Sequence, residues 1–233
     1  MNICVIPARG GSKRIPRKNI KFFNGKPIIA YSIKAALESR HIDKVIVSTD
    51  DQEIANIALE YGAEVPFYRP QELSNDHCTI GPVISHAVDW MENNGSPINH
   101  ICCLFATAPF IEEDSISNAY NKFIEKEAGL CLSVARFPFP IQRAVKISKS
   151  GVIEVFNPEF INTRSQDLEE SYHDAGQFCW GTKHAFRMDS SWLSEVVIPF
   201  VLPRYLVQDI DSLEDWKKAE IMYKVIQEMN NGI

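Results

Sequence analysis

No part of this chain is apolar over the eighteen or so residues that a bilayer-spanning helix needs, so a transmembrane segment is not expected. The opening MNICVIPARGG carries no charge ahead of its short apolar run and does not read as a secretory leader. The six cysteines, Cys4, Cys78, Cys102, Cys103, Cys131 and Cys179, show neither a C-x-x-C pair nor a zinc-type spacing. They read as reduced residues of a cytoplasmic protein, several of them inside buried strands. Positive charge is also short: 24 Lys and Arg face 30 Asp and Glu, a net −6, which argues against a nucleic-acid-binding surface. There is no internal repeat and no low-complexity run. A length of 233 residues suits one domain, 1–233.

What is there is an alternation of short apolar runs with helical patterns. NICVIPA, KVIVSTD, HICCLFATAP and LCLSVARF read as buried strands, and AEVPFY as a possible further one. Between them KPIIAYSIKAALES, DQEIANIALEYG, GPVISHAVDWMENNG and EEDSISNAYNKFIEKEAG carry apolar residues at helical spacing. Continuously apolar strands separated by helices predict an α/β fold with a mostly parallel, Rossmann-like sheet covered on both faces. From about 138 to 203 the pattern breaks into short strands and loops, a β-rich excursion read as a small lobe or a dimerisation arm. RYLVQDID returns to strand character, and SLEDWKKAEIMYKVIQEM closes as a helix with Ser212 and Asp215 spaced as a capping box.

The scarce positive charge is concentrated. IPARGGSKRIPRKN places Arg9, Lys13, Arg14, Arg17 and Lys18 within ten positions, leaving 19 basic against 30 acidic residues elsewhere. A strand, a Gly-rich loop and a helix form the layout in which backbone amides gather around phosphate. The loop lacks the second glycine of a Walker A motif and the G-x-G-x-x-G of a dinucleotide fingerprint. It is longer and more basic than either, which suits a triphosphate whose charge shifts toward a leaving pyrophosphate.

IPARGGSKRIPRKNI resembles the N-terminal motif of the CMP-sialic acid synthetase family, the cytidylyltransferases of nonulosonic acids. The likeness continues in order through GKPIIAYSI, VIVSTDDQEIANIA, YRPQELS and QDIDSLEDW, and so covers nearly the whole chain. It implies transfer of CMP from CTP to a sugar acid with release of pyrophosphate. Arg9, Ser12 and Lys18, with the amides of Gly10 and Gly11, would hold the phosphates, and Asn19 the ribose or a phosphate. Arg69 would meet the cytosine, with Thr79 and, less directly, Ser74 as hydroxyl partners. Asp209 and Asp211 would hold Mg²⁺, their two-residue spacing placing both carboxylates on one face if QDID is a strand. Asp50 and Asp51 either adjoin the nucleotide or cap the next helix. Members of the family are commonly homodimers, which the excursion would serve.

TRSQDLEESYHDAGQFCWG is dense in groups that bind a polar acid: Arg164, Gln166, Tyr172, His173, Gln177 and Trp180. It resembles the branch that activates pseudaminic acid, as does LFATAPF. Activation of N-acetylneuraminate, legionaminate or Kdo remains the nearest alternative. A glycosyltransferase using Asp209-x-Asp211 and a nucleotide-binding regulator without catalysis are more distant ones.

Overall fold

A computed structural model describes residues 1–187 and 196–231. The elements run Ile3–Pro7 (β1), Phe22–Phe23 (β2), Lys26–Pro27 (β3), Ile29–Glu38 (α1), Lys44–Ser48 (β4), Gln52–Glu60 (α2), Ile80–Asn93 (α3) and His100–Leu104 (β5). They continue as Glu113–Glu125 (α4), Leu130–Arg136 (β6), Val145–Ile147 (β7), Ile153–Val155 (β8), Tyr172–Thr182 (β9), Lys183–Arg187 (α5), Val197–Leu202 (β10) and Leu213–Asn231 (α6).

Six strands form the central sheet in the order β10–β6–β9–β5–β1–β4. The pairs β1–β4, β1–β5 and β6–β10 are parallel, and β9 runs antiparallel to both neighbours. The expected mostly parallel α/β sheet is therefore present. Alternation along each strand divides its side chains between two buried layers. Cys4, Ile6, Cys102 and Leu104 join α1 and α4 on one face, while Ile3, Val5, Ile101 and Cys103 join α3 and α5 on the other. This double burial is why the strands read as continuously apolar.

Helix ends follow local chemistry. Asp51 caps α2 by accepting from the amides of Glu53 and Ile54, both at 3.0 Å. Gly62, at φ +92°, lets the chain leave that helix in the left-handed region. The capping box at α6 is formed, the Ser212 hydroxyl accepting from the Asp215 amide at 3.2 Å and Asp215 from the Ser212 amide at 2.8 Å.

Several expectations change. AEVPFY makes only isolated bridges, Ile46 with Glu64 and Thr49 with Tyr68. Leu37, one of the residues at apolar helical spacing in KPIIAYSIKAALES, is exposed. RYLVQDID is not a strand: Arg204–Leu206 is a 3-10 turn and the acidic residues follow in irregular chain. The excursion is narrower than 138–203, because β9 and β10 lie within the main sheet. What projects is 137–171, where β7 and β8 pair only with each other. The short apolar runs of β9 and β10 could be read as lobe strands because sequence alone does not assign a strand to a sheet.

A third apolar cluster joins the chain's two ends. Phe23, fully buried, makes edge-to-face contacts with Tyr31, Trp216 and Tyr223 at 5.7, 5.6 and 5.6 Å. Ile15 of the basic loop and Ile210 of the acidic segment belong to the same cluster. Phe23→Ala should cost about 3–5 kcal/mol, read as a lowered urea midpoint at unchanged slope.

Candidate active site

The end of β1, the loops that follow β1 and β5, and the segment from Arg69 to Val83 surround a cleft of about 260 Å³, at the strand ends where ligands usually sit in an open α/β sheet. Arg9, Ser12, Lys13, Arg14, Lys18 and Asn19 line it, opposite Arg69, Asp76 and Phe105.

Each cation of the loop has a carboxylate partner. Arg9 reaches Asp76 at 2.7 Å, and Lys13 also contacts Asp76. Arg14 reaches Asp211 at 2.8 Å. Lys18 donates to the Ile210 carbonyl at 2.7 Å and lies 3.4 Å from Asp211. Arg17 turns away from the cleft to grip Asp51 through two donors, one at 2.8 Å, and also reaches Glu53. The Asn19 amide fixes the loop from inside by donating to the Arg9 carbonyl at 3.0 Å.

Behind the loop, Asp50 accepts from the Gly10 amide at 2.9 Å. That donor, expected to face phosphate, is therefore already used in this arrangement. A Cβ on residue 10 would lie 2.7 Å from the Asp51 carboxylate, so Gly10 permits a close approach that a side chain would block. Around Gly11 the space is open. Asp51 thus caps α2, anchors Arg17 and seats Gly10. Its carboxyl is pulled down to about 2, first by the Arg17 hydrogen bond and then, against the cost of burial, by the cap amides and the Arg17 charge.

Arg69 is buried in the cleft wall, its Nε donating to the Ser48 hydroxyl at 3.1 Å and its other nitrogen to the Ser48 carbonyl. Thr79 occupies the N-cap position of α3 without a side-chain capping bond and is not among the residues lining the cleft. The Ser74 hydroxyl donates to the Pro70 carbonyl at 3.0 Å.

Asp209 packs beside Gly176, whose Cβ would lie 3.7 Å from the carboxylate. Burial, and then the Asp211 charge, raise the Asp209 pKa. A bound cation would relieve both effects. Among the described residues no group of three or more His, Cys, Asp and Glu could hold a metal alone. A divalent ion held by Asp209 and Asp211 alone would need substrate oxygens and water to complete its shell.

The sugar set is not gathered in this cleft. Arg164 pairs with Asp167 at 2.7 Å on the projecting segment, and Gln166 lies exposed in the same 3-10 turn. Tyr172 is exposed and donates to Glu170 at 2.9 Å. His173 packs on Phe137, with its Nδ1 2.7 Å from the Asp174 carbonyl. Trp180 is core, its indole donating to the Ile116 carbonyl at 2.9 Å. Gln177 is buried as well, donating to the Leu206 carbonyl while its own side-chain oxygen has no partner. A sugar contact from Gln177 or Trp180 does not follow from these positions. The strand β9 carries both into the sheet.

The residues that sequence reasoning missed are Asp76, the carboxylate of the Arg9 and Lys13 pairs, and the Arg17–Asp51 anchor. Their partners lie 34 to 67 positions away, so no local pattern marks them.

The cytidylyltransferase family profile matches residues 3–203. The chain belongs to that family. Among the relatives of this cytidylyltransferase is a pseudaminic acid cytidylyltransferase of Campylobacter jejuni, 45% identical over 97% of this chain and 98% of the relative. A CMP-N,N'-diacetyllegionaminic acid synthase of Legionella pneumophila is 30% identical over 97% of each. A solved CMP:2-keto-3-deoxy-manno-octonic acid synthetase complexed with CTP superposes with a TM-score of 0.69 at 15% identity, covering 96% of this chain and 98% of that one. At that identity the structural match speaks for the shared nucleotidyltransferase fold.

The Arg17–Asp51 pair has a testable pH signature. Because the Asp51 pKa is depressed, its stabilisation is full above the unfolded value of about 3.9 and is lost as the pH falls through about 2. Asp51→Asn should therefore lower the urea midpoint at neutral pH. The gap to wild type should close as the pH drops from about 4 toward about 2.

Proposed function

We propose that this cytidylyltransferase transfers CMP from CTP to the anomeric hydroxyl of pseudaminic acid, giving the CMP-sugar and pyrophosphate. The observation that carries this reading is the 45% identity to the Campylobacter jejuni enzyme along nearly the full length of both chains. The basic cleft at the strand ends supports it.

In this reading the hydroxyl oxygen attacks the α-phosphorus and the bond to the bridging oxygen of pyrophosphate breaks in line. Such a transfer depends on placement and charge more than on covalent work by the protein. Arg9, Ser12 and Lys18 would hold the triphosphate and accept the charge growing on the leaving group. Lys18, fixed by the Ile210 carbonyl, would bridge the phosphates to the acidic segment. Asn19 would keep the loop in shape, and Arg69, rigid in the wall, would present its remaining donors to the cytosine. Asp209 and Asp211 would hold a magnesium ion, which supplies polarisation of the α-phosphate when bound.

We further propose that the enzyme works in the cytoplasm as a homodimer. The projecting segment leaves Phe139, Ile147, Val152, Ile153 and Phe156 exposed, an apolar surface that a second copy would cover. Arg164, Gln166, Tyr172 and His173 on or beside that segment would then serve a sugar site shared between copies.

The deciding experiment is pyrophosphate release from CTP and Mg²⁺ with pseudaminic, N-acetylneuraminic, legionaminic and Kdo acids in parallel. Turnover with pseudaminic acid alone is expected. Turnover with another acid alone would reassign the sugar, and none in any tube would overturn the transfer. Folded Lys18→Ala should lose turnover by about two orders of magnitude or more. Sedimentation should give a dimer for wild type and a monomer for the double variant Ile147→Asp, Ile153→Asp. A monomeric wild type would remove the shared site.

A further inference from the structure

Asp76 is the only carboxylate contacting Arg9 and Lys13 among the described ion pairs, and it contacts both at once. It lies in the loop between the Gln71–Leu73 turn and α3, and it lines the same cleft as the two cations. The loop presents it in a defined way, because Asn75 accepts from the amides of His77 and Cys78 at 2.8 and 3.0 Å. One oxygen of Asp76 faces Arg9 and the other faces Lys13. A carboxylate offers two forked acceptor oxygens to such a pair, the same arrangement that two non-bridging phosphate oxygens offer.

We propose that Asp76 is a stand-in anion at the phosphate end of the cleft, which incoming triphosphate displaces from Arg9 and Lys13. The inference rests on the reading of the cleft as a triphosphate site. Without Asp76 the two cations would have no carboxylate partner among the described ion pairs and would be free to meet an incoming anion. With it, an incoming phosphate must compete for both cations. The competition is local. Arg17 is held elsewhere by Asp51 and Glu53, and Arg14 and Lys18 by Asp211, so losing Asp76 leaves those contacts in place.

The two cations also hold the Asp76 carboxyl below the usual carboxylate range, the Lys13 hydrogen bond contributing most and the Arg9 hydrogen bond next. Asp76 is therefore ionised throughout the neutral range and competes as a full negative charge.

The arrangement assigns Asp76 an effect opposite in sign to that of a residue that merely supports the fold. Removing a support loosens ligand; removing a competing anion tightens it. Exposed pairs of this kind are individually weak, so displacing both contacts corresponds to about a fivefold change in affinity. The gain should fall as ionic strength rises, since these pairs are open to solvent. It should also be confined to ligands that carry the outer phosphates.

The test compares wild type with Asp76→Asn, which keeps the shape of the side chain and removes its charge. Calorimetric titration with CTP, inorganic pyrophosphate and cytidine, each at low and high salt, reads the effect directly. The expected result is about fivefold tighter CTP and pyrophosphate binding in the variant at low salt. The difference should shrink at high salt, and cytidine should be unaffected. Unchanged or weaker CTP binding by a folded variant, while wild type binds CTP normally, would overturn the stand-in role and leave the cleft assignment standing. An equal gain for cytidine would also overturn it, by showing a general loosening of the loop. Failure of wild type itself to bind CTP would overturn the reading of the cleft, and this inference with it.

Discussion

The Phe23 ring is the constraint on which the site depends. Four aromatic neighbours, Tyr31, Phe110, Trp216 and Tyr223, surround it, drawn from the first helix, the loop after β5 and the last helix. Ile15, between the cations Arg14 and Arg17, and Ile210, between Asp209 and Asp211, are buried in the same cluster. Charges almost two hundred positions apart in the chain therefore meet because apolar residues among them are buried together. The ion pairs themselves could not do this work. Exposed pairs contribute about 0–1 kcal/mol each, whereas a buried aromatic side chain contributes several-fold more. Apolar burial brings the two segments together, and electrostatics then sets the details.

Those details show how an acidic protein presents a basic loop. Asp51, Asp76 and Asp211 each take one or two of the cations, so the loop's charge is balanced from three sides. The three carboxylates are not equivalent. Asp51 sits behind the loop, where its other bonds to the α2 cap amides and its closeness to Gly10 make it part of the scaffold. Asp76 lines the cleft, and Asp211 lies at its edge in contact with Arg14 and Lys18, where a substrate's negative charge would compete. Arg17 belongs to the scaffold for the same reason. Clustering in sequence made all five cations look alike, but only four of them line the cleft.

Much of the fold was legible because its signals are local. Double burial makes β1, β4, β5 and β6 continuously apolar, and Asp51, Gly62 and the Ser212–Asp215 box mark helix ends by chemistry within four residues. The basic half of the cleft was legible for the same reason, since Arg9 to Asn19 form one loop. What could not be read depends on distant partners. Asp76 looks like any loop acid until the fold brings Arg9 beside it. QDID looks like a strand because alternation is present, yet it pairs with no strand among the described residues. Gln177 and Trp180 look like sugar ligands because they sit among polar residues. Only the pairing of β9 with both β5 and β6 turns them inward.

That last point separates what the sheet can specify from what it cannot. The strand ends and the loop after β1 supply cations and carboxylates, which suit nucleotide chemistry whatever the acceptor. The CTP-bound synthetase that matches at a TM-score of 0.69 shares only 15% of residues with this chain, so the architecture persists through wide changes in sequence. A fold conserved to that degree cannot by itself select one acid among several. Once Gln177 and Trp180 are assigned to the interior, the remaining polar candidates lie on or beside the projecting segment, outside the cleft lining. In the proposed reading, acceptor choice is separable from phosphate chemistry. On the shared sugar site proposed above, changes in 137–171 would alter the acid recognised while Arg9, Lys18 and the acidic pair keep their places, because the β7–β8 pairing of that segment is independent of the main sheet.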